Sequence, residues 1–325
     1  MLTFNELPLE MVEAIIGALC PRCNQRSRRS LRLVHTLFDL CLTSRLLKQV
    51  ATPHLYHRPS PNKWHLLAGT LIARPDLASQ VKQLLIPADM SPYFFRVDSW
   101  DFKSRASAVP PEVAAYCDAL LQKSDWYTPD PWDYMSLLAS LCPNLEKLET
   151  QALISPFYSP RSLLNLKRVN ITNMDSDWNF GALLPLLDAA PNIERIIVDN
   201  IESCSGLEEL TLPNLTHVVL LVSLLPADDL ARLFIACPNL QMFEYECGAP
   251  THLTFGETQY QFDAIQARDR ILDHAKNLEY FWFNIAMQNQ DYNISSWVDI
   301  WGRDEMIEPL RKSMEEHGIE FDLVE

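Results

Sequence analysis

Three groups of residues have types and spacings that carry chemistry. The first is Cys20-Pro21-Arg22-Cys23, a CxxC pair of the kind that offers two thiolates to one tetrahedral zinc ion, with His35 and Cys41 as donors further along. No second CxxC accompanies it, and His35 and Cys41 fall on a predicted helix where Phe38 packs, so the pattern favours a polar loop over a metal centre. The second group is His54, His57 and His65 around Tyr56, with no carboxylate pattern beside them. The third is Lys147, Arg168 and Arg195, cations at one position of three similar segments, a row that would suit a phosphorylated target. Against these stands the chemistry that is missing. Only eight glycines occur, none close enough for a GxGxxG or Walker loop, so nucleotide phosphates have no cradle. There is no His-Glu-x-x-His and no EF-hand loop, and a Ser-His-Asp set is a spatial arrangement that nothing local announces. The sequence reads as a non-catalytic chain with no metal and no cofactor.

Composition narrows the partners. At 325 residues and 48% hydrophobic, the chain can bury a full core. A net charge of -15 argues against nucleic acid, whose phosphates would be repelled. The charge is uneven: residues 1–60 hold 8 Lys/Arg against 4 Asp/Glu, whereas the remainder holds 19 against 38. No basic-then-apolar leader opens the chain and no apolar run reaches the roughly 18 residues of a membrane span. Eight scattered cysteines then read as reduced thiols, and the expected location is cytoplasmic or nuclear.

The elements that must position these residues follow from a repeat. Cys142-Pro143-Asn144-Leu145-Glu146 ends a helix, turns, and starts a strand; proline stops the helix, and the asparagine amide can bond nearby backbone. The instruction returns as Ala190-Pro191-Asn192-Ile193-Glu194, as Cys237-Pro238-Asn239-Leu240-Gln241, and more weakly as Ala275-Lys276-Asn277-Leu278-Glu279. The prolines stand 48 residues apart (191 minus 143) and then 47 (238 minus 191), a period that means a repeat architecture. Shorter units at Leu164–Val169 and Leu212–Val218 bring the asparagines to 144, 165, 192, 214, 239 and 277. Longer steps carry a helix, over 183–190 and 226–236; a last helix over 304–317 leads through Gly318 to a strand at 319–324. Cys142 and Cys237 stand where Ala190 does, as small apolar residues at helix ends.

Ahead of the array lie short helices. Asn5 is a candidate N-cap with Pro8 in the first turn, and Leu9, Val12, Ile15, Ile16 and Leu19 form an apolar stripe. A second helix from Ser30 puts Leu31, Val34, Leu37, Phe38 and Leu42 on its inner face, and a third segment over 46–50 leads into Pro53-His54-Leu55-Tyr56. Next come a helix over 63–72, a turn at 74–77 and a strand at 81–86, a first divergent repeat.

Leu7-Pro8-x-Glu10, the Ile15/Ile16 pair, Leu31-Arg32-Leu33-Val34-His35 and Phe38 together resemble an F-box, and Pro53-His54-Leu55-Tyr56 is similar to the exit segment common in F-box proteins of fungi. His35-Thr36 departs from the Ser-Arg more often found there. The spacing of the asparagines, and Leu-x-x-Leu-x-Thr at 145–150, look like leucine-rich repeats. The resemblance implies an α/β fold: a small all-helical F-box over 1–58, then an irregular leucine-rich-repeat solenoid over 59–325 with parallel strands on the concave face and helices outside. Inserts are expected near 88–131, 248–265 and 286–303, the first of them rich in aromatics from Tyr93 to Trp132. The implied function is substrate recognition in an SCF-type ubiquitin ligase, with Leu7, Pro8, Glu10, Ile15, Leu31, Val34 and Phe38 docking on a Skp-type adaptor and, through it, a cullin–RING ligase. A repeat scaffold outside any ligase, its helices serving only as a terminal cap, stays open beside it.

Placing the leucines inward aims alternate strand residues at a protein target. Lys147, Arg168, Arg195, His217, Met242 and Tyr280 fall at the third position; Glu149, Asn170, Ile197, Val219, Glu244 and Trp282 fall at the fifth. The expected target-binding set is Lys147, Arg168, Arg195, Ile197, Val219, Glu244, Tyr280 and Trp282, with Ile197, Val219 and Leu221 as an exposed apolar patch.

Overall fold

A computed structural model describes residues 7–20, 30–59, 64–85, 138–150, 161–172, 178–223, 225–247, 264–284 and 303–324. The chain mixes helices with parallel strands, an α/β arrangement, and divides into two compact units: Met1–Glu149 with Ser162–Leu166, and Thr150–Arg161 with Lys167–Glu325. The aromatic segment 92–132 and the loops 248–263 and 286–302 lie outside the described residues.

In the first unit, α1 (Leu9–Leu19), α2 (Ser30–Thr43) and α3 (Arg45–His57) close around Val12, Ile16, Leu37, Leu47 and Ala51, with Leu7, Leu19, Leu40, Cys41, Val50 and Leu55 packed against them. Helix α1 starts later than its sequence suggests. Pro8 is the N-cap, with extended ψ of 145°, and its carbonyl accepts from Met11 and Val12 at 3.0 and 3.2 Å; Asn5 lies outside the described residues. Helix α3 is longer than expected. Ser44 caps it, its hydroxyl accepting from the Leu47 N–H at 3.2 Å, and the helix runs through Pro53 to His57. Proline forfeits one intrahelical bond, but the turns on either side carry Ala51 and Leu55 onto the core, and that packing holds the helix together. Helices α4 (Trp64–Ala73) and α5 (Pro75–Ala78) lead into β1 (Gln83–Leu85), which pairs in parallel with β2 (Lys147–Thr150), Gln83 opposite Lys147. The Lys82 amide donates to the carbonyl of His57 at 3.0 Å, tying the end of α3 to the start of β1.

In the second unit, β3 (Arg168–Ile171), β5 (Arg195–Asp199), β7 (His217–Ser223), β8 (Met242–Cys247), β9 (Tyr280–Asn284) and β10 (Glu320–Val324) follow one another as parallel neighbours. A side pair, β4 (Trp178–Asn179) with β6 (Ile201–Ser203), flanks them. Helix α6 (Leu184–Ala189), preceded by a 3₁₀ turn at Phe180–Leu183, and helices α7 (Ala227–Ala236), α8 (Ala264–His274) and α9 (Arg303–Glu316) fill the longer connections. Gly181 is needed where it stands: a Cβ there would meet the Ser205 carbonyl oxygen at 2.2 Å. Gly318, at φ +74°, releases α9 into β10.

Each Pro-Asn turn closes on itself and then reaches back. The Leu240 amide donates to the Cys237 carbonyl at 3.1 Å, as Ile193 does to Ala190 and Leu278 does to Ala275. The asparagine amide, however, bonds the previous turn and not its own. Asn239 Nδ2 donates to the Pro213 carbonyl at 2.8 Å, Asn214 to Pro191 at 3.0 Å and Asn277 to Pro238 at 2.8 Å; in the first unit Asn165 donates to Pro143 at 3.1 Å. One carbonyl at each strand entrance then takes two amides from the next strand. Glu194 serves Thr216 and His217, Thr216 serves Gln241 and Met242, and Gln241 serves Glu279 and Tyr280, all between 2.8 and 3.1 Å. Adjacent strands therefore start level.

Level strands stack like residues. Phe243 lies on Phe281 with centroids 5.5 Å apart, Tyr245 on Phe283 at 5.8 Å, and Phe281 packs on Phe321 at 5.4 Å. The buried Tyr245 hydroxyl donates to the Ser223 carbonyl and accepts from the Leu225 amide, both at 3.0 Å. Cys142 and Cys237 are buried at helix ends, and burial pushes the Cys237 thiol up to about 12, as expected of inert packing residues.

Two stability outcomes follow. Asn239→Ala removes one bond from an exposed turn and should cost about 0.5–1.5 kcal/mol. Tyr245→Phe strands a buried carbonyl and a buried amide and should cost about 1–3 kcal/mol. Urea midpoints at unchanged m-value would measure both.

Candidate functional site

The helical module leaves large apolar side chains on its surface. Met11 and Ile15 on α1 stand one turn apart, and both are exposed; so are Phe38 and Leu42 on α2, at 51% and 72%. Leu9 is exposed as well. The spacing had put Phe38 and Leu42 on the inner face of α2, and that is corrected: Leu37, with Leu40 and Cys41, takes the core, and the stripe is rotated by about one residue. Of the expected docking residues, Pro8, Glu10, Ile15 and Phe38 are exposed, Val34 is half-buried, and Leu7 is half-buried against the core. The side chain of Leu31 lies outside the described set.

The second candidate surface is one face of the strand array. The ladder sets Arg168, Arg195, His217, Met242, Tyr280 and Glu320 in one row, and Asn170, Ile197, Val219, Glu244, Trp282 and Asp322 in the next. Lys147 belongs to the first unit, where it pairs with Glu149. Arg195 reaches across β7 to Glu244 on β8, N to O 3.7 Å. A second correction concerns Val219: expected as part of an exposed apolar patch, it is 4% exposed, between its ladder neighbours Ile197 on β5 and Glu244 on β8. Ile197 and Leu221 are half-buried.

The cations are thus not a cluster awaiting phosphate: Lys147 and Arg195 each have a carboxylate partner, while Arg168 is exposed. Toward the other end, Tyr280 and Trp282 are half-buried among acids. The Tyr280 hydroxyl donates to Asp322 at 2.9 Å, and its pKa is raised to about 12 by desolvation first and by that carboxylate second. Glu246 is buried, and desolvation raises its pKa.

A third arrangement was not legible as such. Cys20, at the end of α1 and fully buried, lies 3.5 Å from Nδ1 of His57 and contacts the His54 carbonyl at 3.8 Å. The two imidazoles meet edge to face at 4.9 Å, and burial lowers the pKa of His54, opposed by Glu13. The sequence had paired Cys20 with Cys23, His35 and Cys41. Cys23 lies outside the described residues, His35 is exposed on α2, and Cys41 packs on the module core with its thiol 3.8 Å from the Thr52 hydroxyl. The missing signal was the helicity of 53–57, which puts His54 and His57 on one turn. His65, by its side chain, lies outside the described set.

Compared with known proteins, the chain matches no protein-family model and no curated protein.

His217 supplies a pH outcome. Desolvation, then Arg195, lowers its pKa below the ordinary 6.5, against Glu244 and Glu194. The unfolded chain therefore takes the proton first, so stability is intact above that value and is lost as pH falls through it to the lowered folded value. Urea midpoints between about pH 7.5 and about pH 5 should fall less steeply for His217→Gln than for wild type.

Proposed function

We propose that this chain is the substrate-recognition subunit of an SCF-type ubiquitin ligase, an F-box protein with leucine-rich repeats. Its helical module docks on a Skp-type adaptor and, through it, on a cullin–RING ligase; one face of the strand array binds a protein target. The transfer chemistry belongs to the partner enzymes. The observation that carries the reading is the pair of apolar steps left outside a closed core, Met11/Ile15 and Phe38/Leu42. A module built only to cap a repeat array has no use for them, whereas an adaptor-docking module needs apolar anchors on its surface. The parallel array with a level register supports the second half, since it offers a continuous face with Met242, Tyr280 and Trp282 half-buried at one end.

The charges on that face favour one class of target. Arg195 is held by Glu244, while Glu320 and Asp322 flank Tyr280 and Trp282 in the ladder. A segment bearing apolar and basic side chains complements that end; a phosphorylated one does not.

Co-expression with a Skp-type adaptor tests the docking half. Wild type should co-purify, and Phe38→Asp should weaken binding by at least about tenfold at an unchanged melting temperature, since the residue is outside the core. Failure of folded wild type to bind at micromolar concentration would leave the scaffold reading. For the target half, Trp282→Ala should reduce target capture while adaptor binding persists.

A further inference from the structure

We propose that Cys20, His54 and His57 form a zinc site that staples the end of α1 to the last turn of α3. The three donor atoms lie within 4.8 Å of one another. A tetrahedral zinc with bonds of about 2.3 Å to sulfur and about 2.0–2.1 Å to nitrogen sets the sulfur about 3.5–3.6 Å from each nitrogen and the two nitrogens about 3.3–3.4 Å apart. The observed distance from Cys20 Sγ to His57 Nδ1 is 3.5 Å. The arrangement is built by the fold and not by loose surface chains. Cys20 ends α1 at 0% exposure, and His54 and His57 sit three residues apart on α3, so both imidazoles leave the helix on one side.

The Cys20 thiol donates to the His54 carbonyl at 3.8 Å and lies 3.5 Å from His57 Nδ1, and the ring of His54 meets that of His57 edge to face. A sulfur and two imidazoles are the donor set of a borderline-soft divalent ion, and zinc imposes no d-electron geometry on it. Three protein ligands leave a fourth position for solvent or another donor. Each ion bound displaces the thiol proton to solvent, as the thiolate is the ligand.

The benefit would be mechanical. The core of the module is small, with five buried apolar residues, and the end of α3 is bonded to the start of β1 through the His57 carbonyl, which accepts from the Lys82 amide. Fixing α1 to α3 at this point holds the module closed where it meets the rest of its unit.

The full-length chain, stripped with EDTA and reloaded, tests this. Wild type should retain about one equivalent of zinc after dialysis. With cobalt in place of zinc it should show the visible bands of tetrahedral cobalt and a near-ultraviolet thiolate charge-transfer band. Cys20→Ser and His57→Gln should each weaken binding at least tenfold and remove the charge-transfer band (Cys20→Ser) or shift the visible bands (His57→Gln). His35→Gln, outside the cluster, should bind as wild type. Should Cys20→Ser fail to fold, His54→Gln takes its place, with the same weakening expected. Wild type that retains no zinc, a cobalt complex without the thiolate band, or equal binding by wild type and His57→Gln would each overturn the site. None of these outcomes depends on adaptor binding.

Discussion

The structure depends on a hydrogen bond that runs backward along the chain, from the side-chain amide of an asparagine to the carbonyl of the proline one turn earlier. Asn214, Asn239 and Asn277 all make it in the second unit, and Asn165 makes it in the first. Proline is suited to be the acceptor: it fixes φ, so its carbonyl is held at the turn. Each single bond is worth about 1 kcal/mol. Its importance lies in what it fixes. With the turns linked, the carbonyls of Glu194, Thr216 and Gln241 each take two amides from the next strand, and a slip of one residue would break both. Because a one-residue slip also exchanges the two faces of a strand, the turns decide which side chains are core and which are surface.

Everything proposed for the second unit inherits that register. It stacks Phe243 on Phe281 and Tyr245 on Phe283 on one side, and lines up Arg195, His217, Met242 and Tyr280 on the other. Once lined up, these groups interact sideways. Arg195 reaches across β7 to Glu244, and the His217 pKa is lowered by desolvation first and by Arg195 second. A face that reads as a list of independent residues is therefore partly satisfied by itself, through Arg195 with Glu244 and Tyr280 with Asp322.

The parts legible in sequence were those set by local chemistry. Proline followed by asparagine marks a turn in any context, so the period, the parallel strands and the start of each strand could be read off directly. The parts that were not legible depend on groups far apart in the chain. The asparagine amides suggested a bond to nearby backbone, but their partners lie a full repeat away. Val219 alternates correctly as a surface position, yet it is 4% exposed between its ladder neighbours Ile197 and Glu244. On α2, Phe38 is apolar at core spacing, yet three helices in so small a module supply too little interior for every apolar residue, and the core closed on Leu37 with Leu40 and Cys41. The segment expected over 46–50 runs on as a helix through Pro53 to His57, and the donor cluster of Cys20, His54 and His57 follows from that extension.

The proposed function divides the work between the helical module, with apolar side chains outside a closed core, and the strand array, with its register-locked face. Hydrogen exchange of the full chain with and without a Skp-type adaptor tests that division most directly. The account predicts slowed exchange in peptides covering Leu9–Leu19 and Ser30–Thr43, with the amides of Arg195–Asp199, His217–Ser223 and Met242–Cys247 unchanged. Slowing confined to the strands, or no change at saturating adaptor, would contradict it.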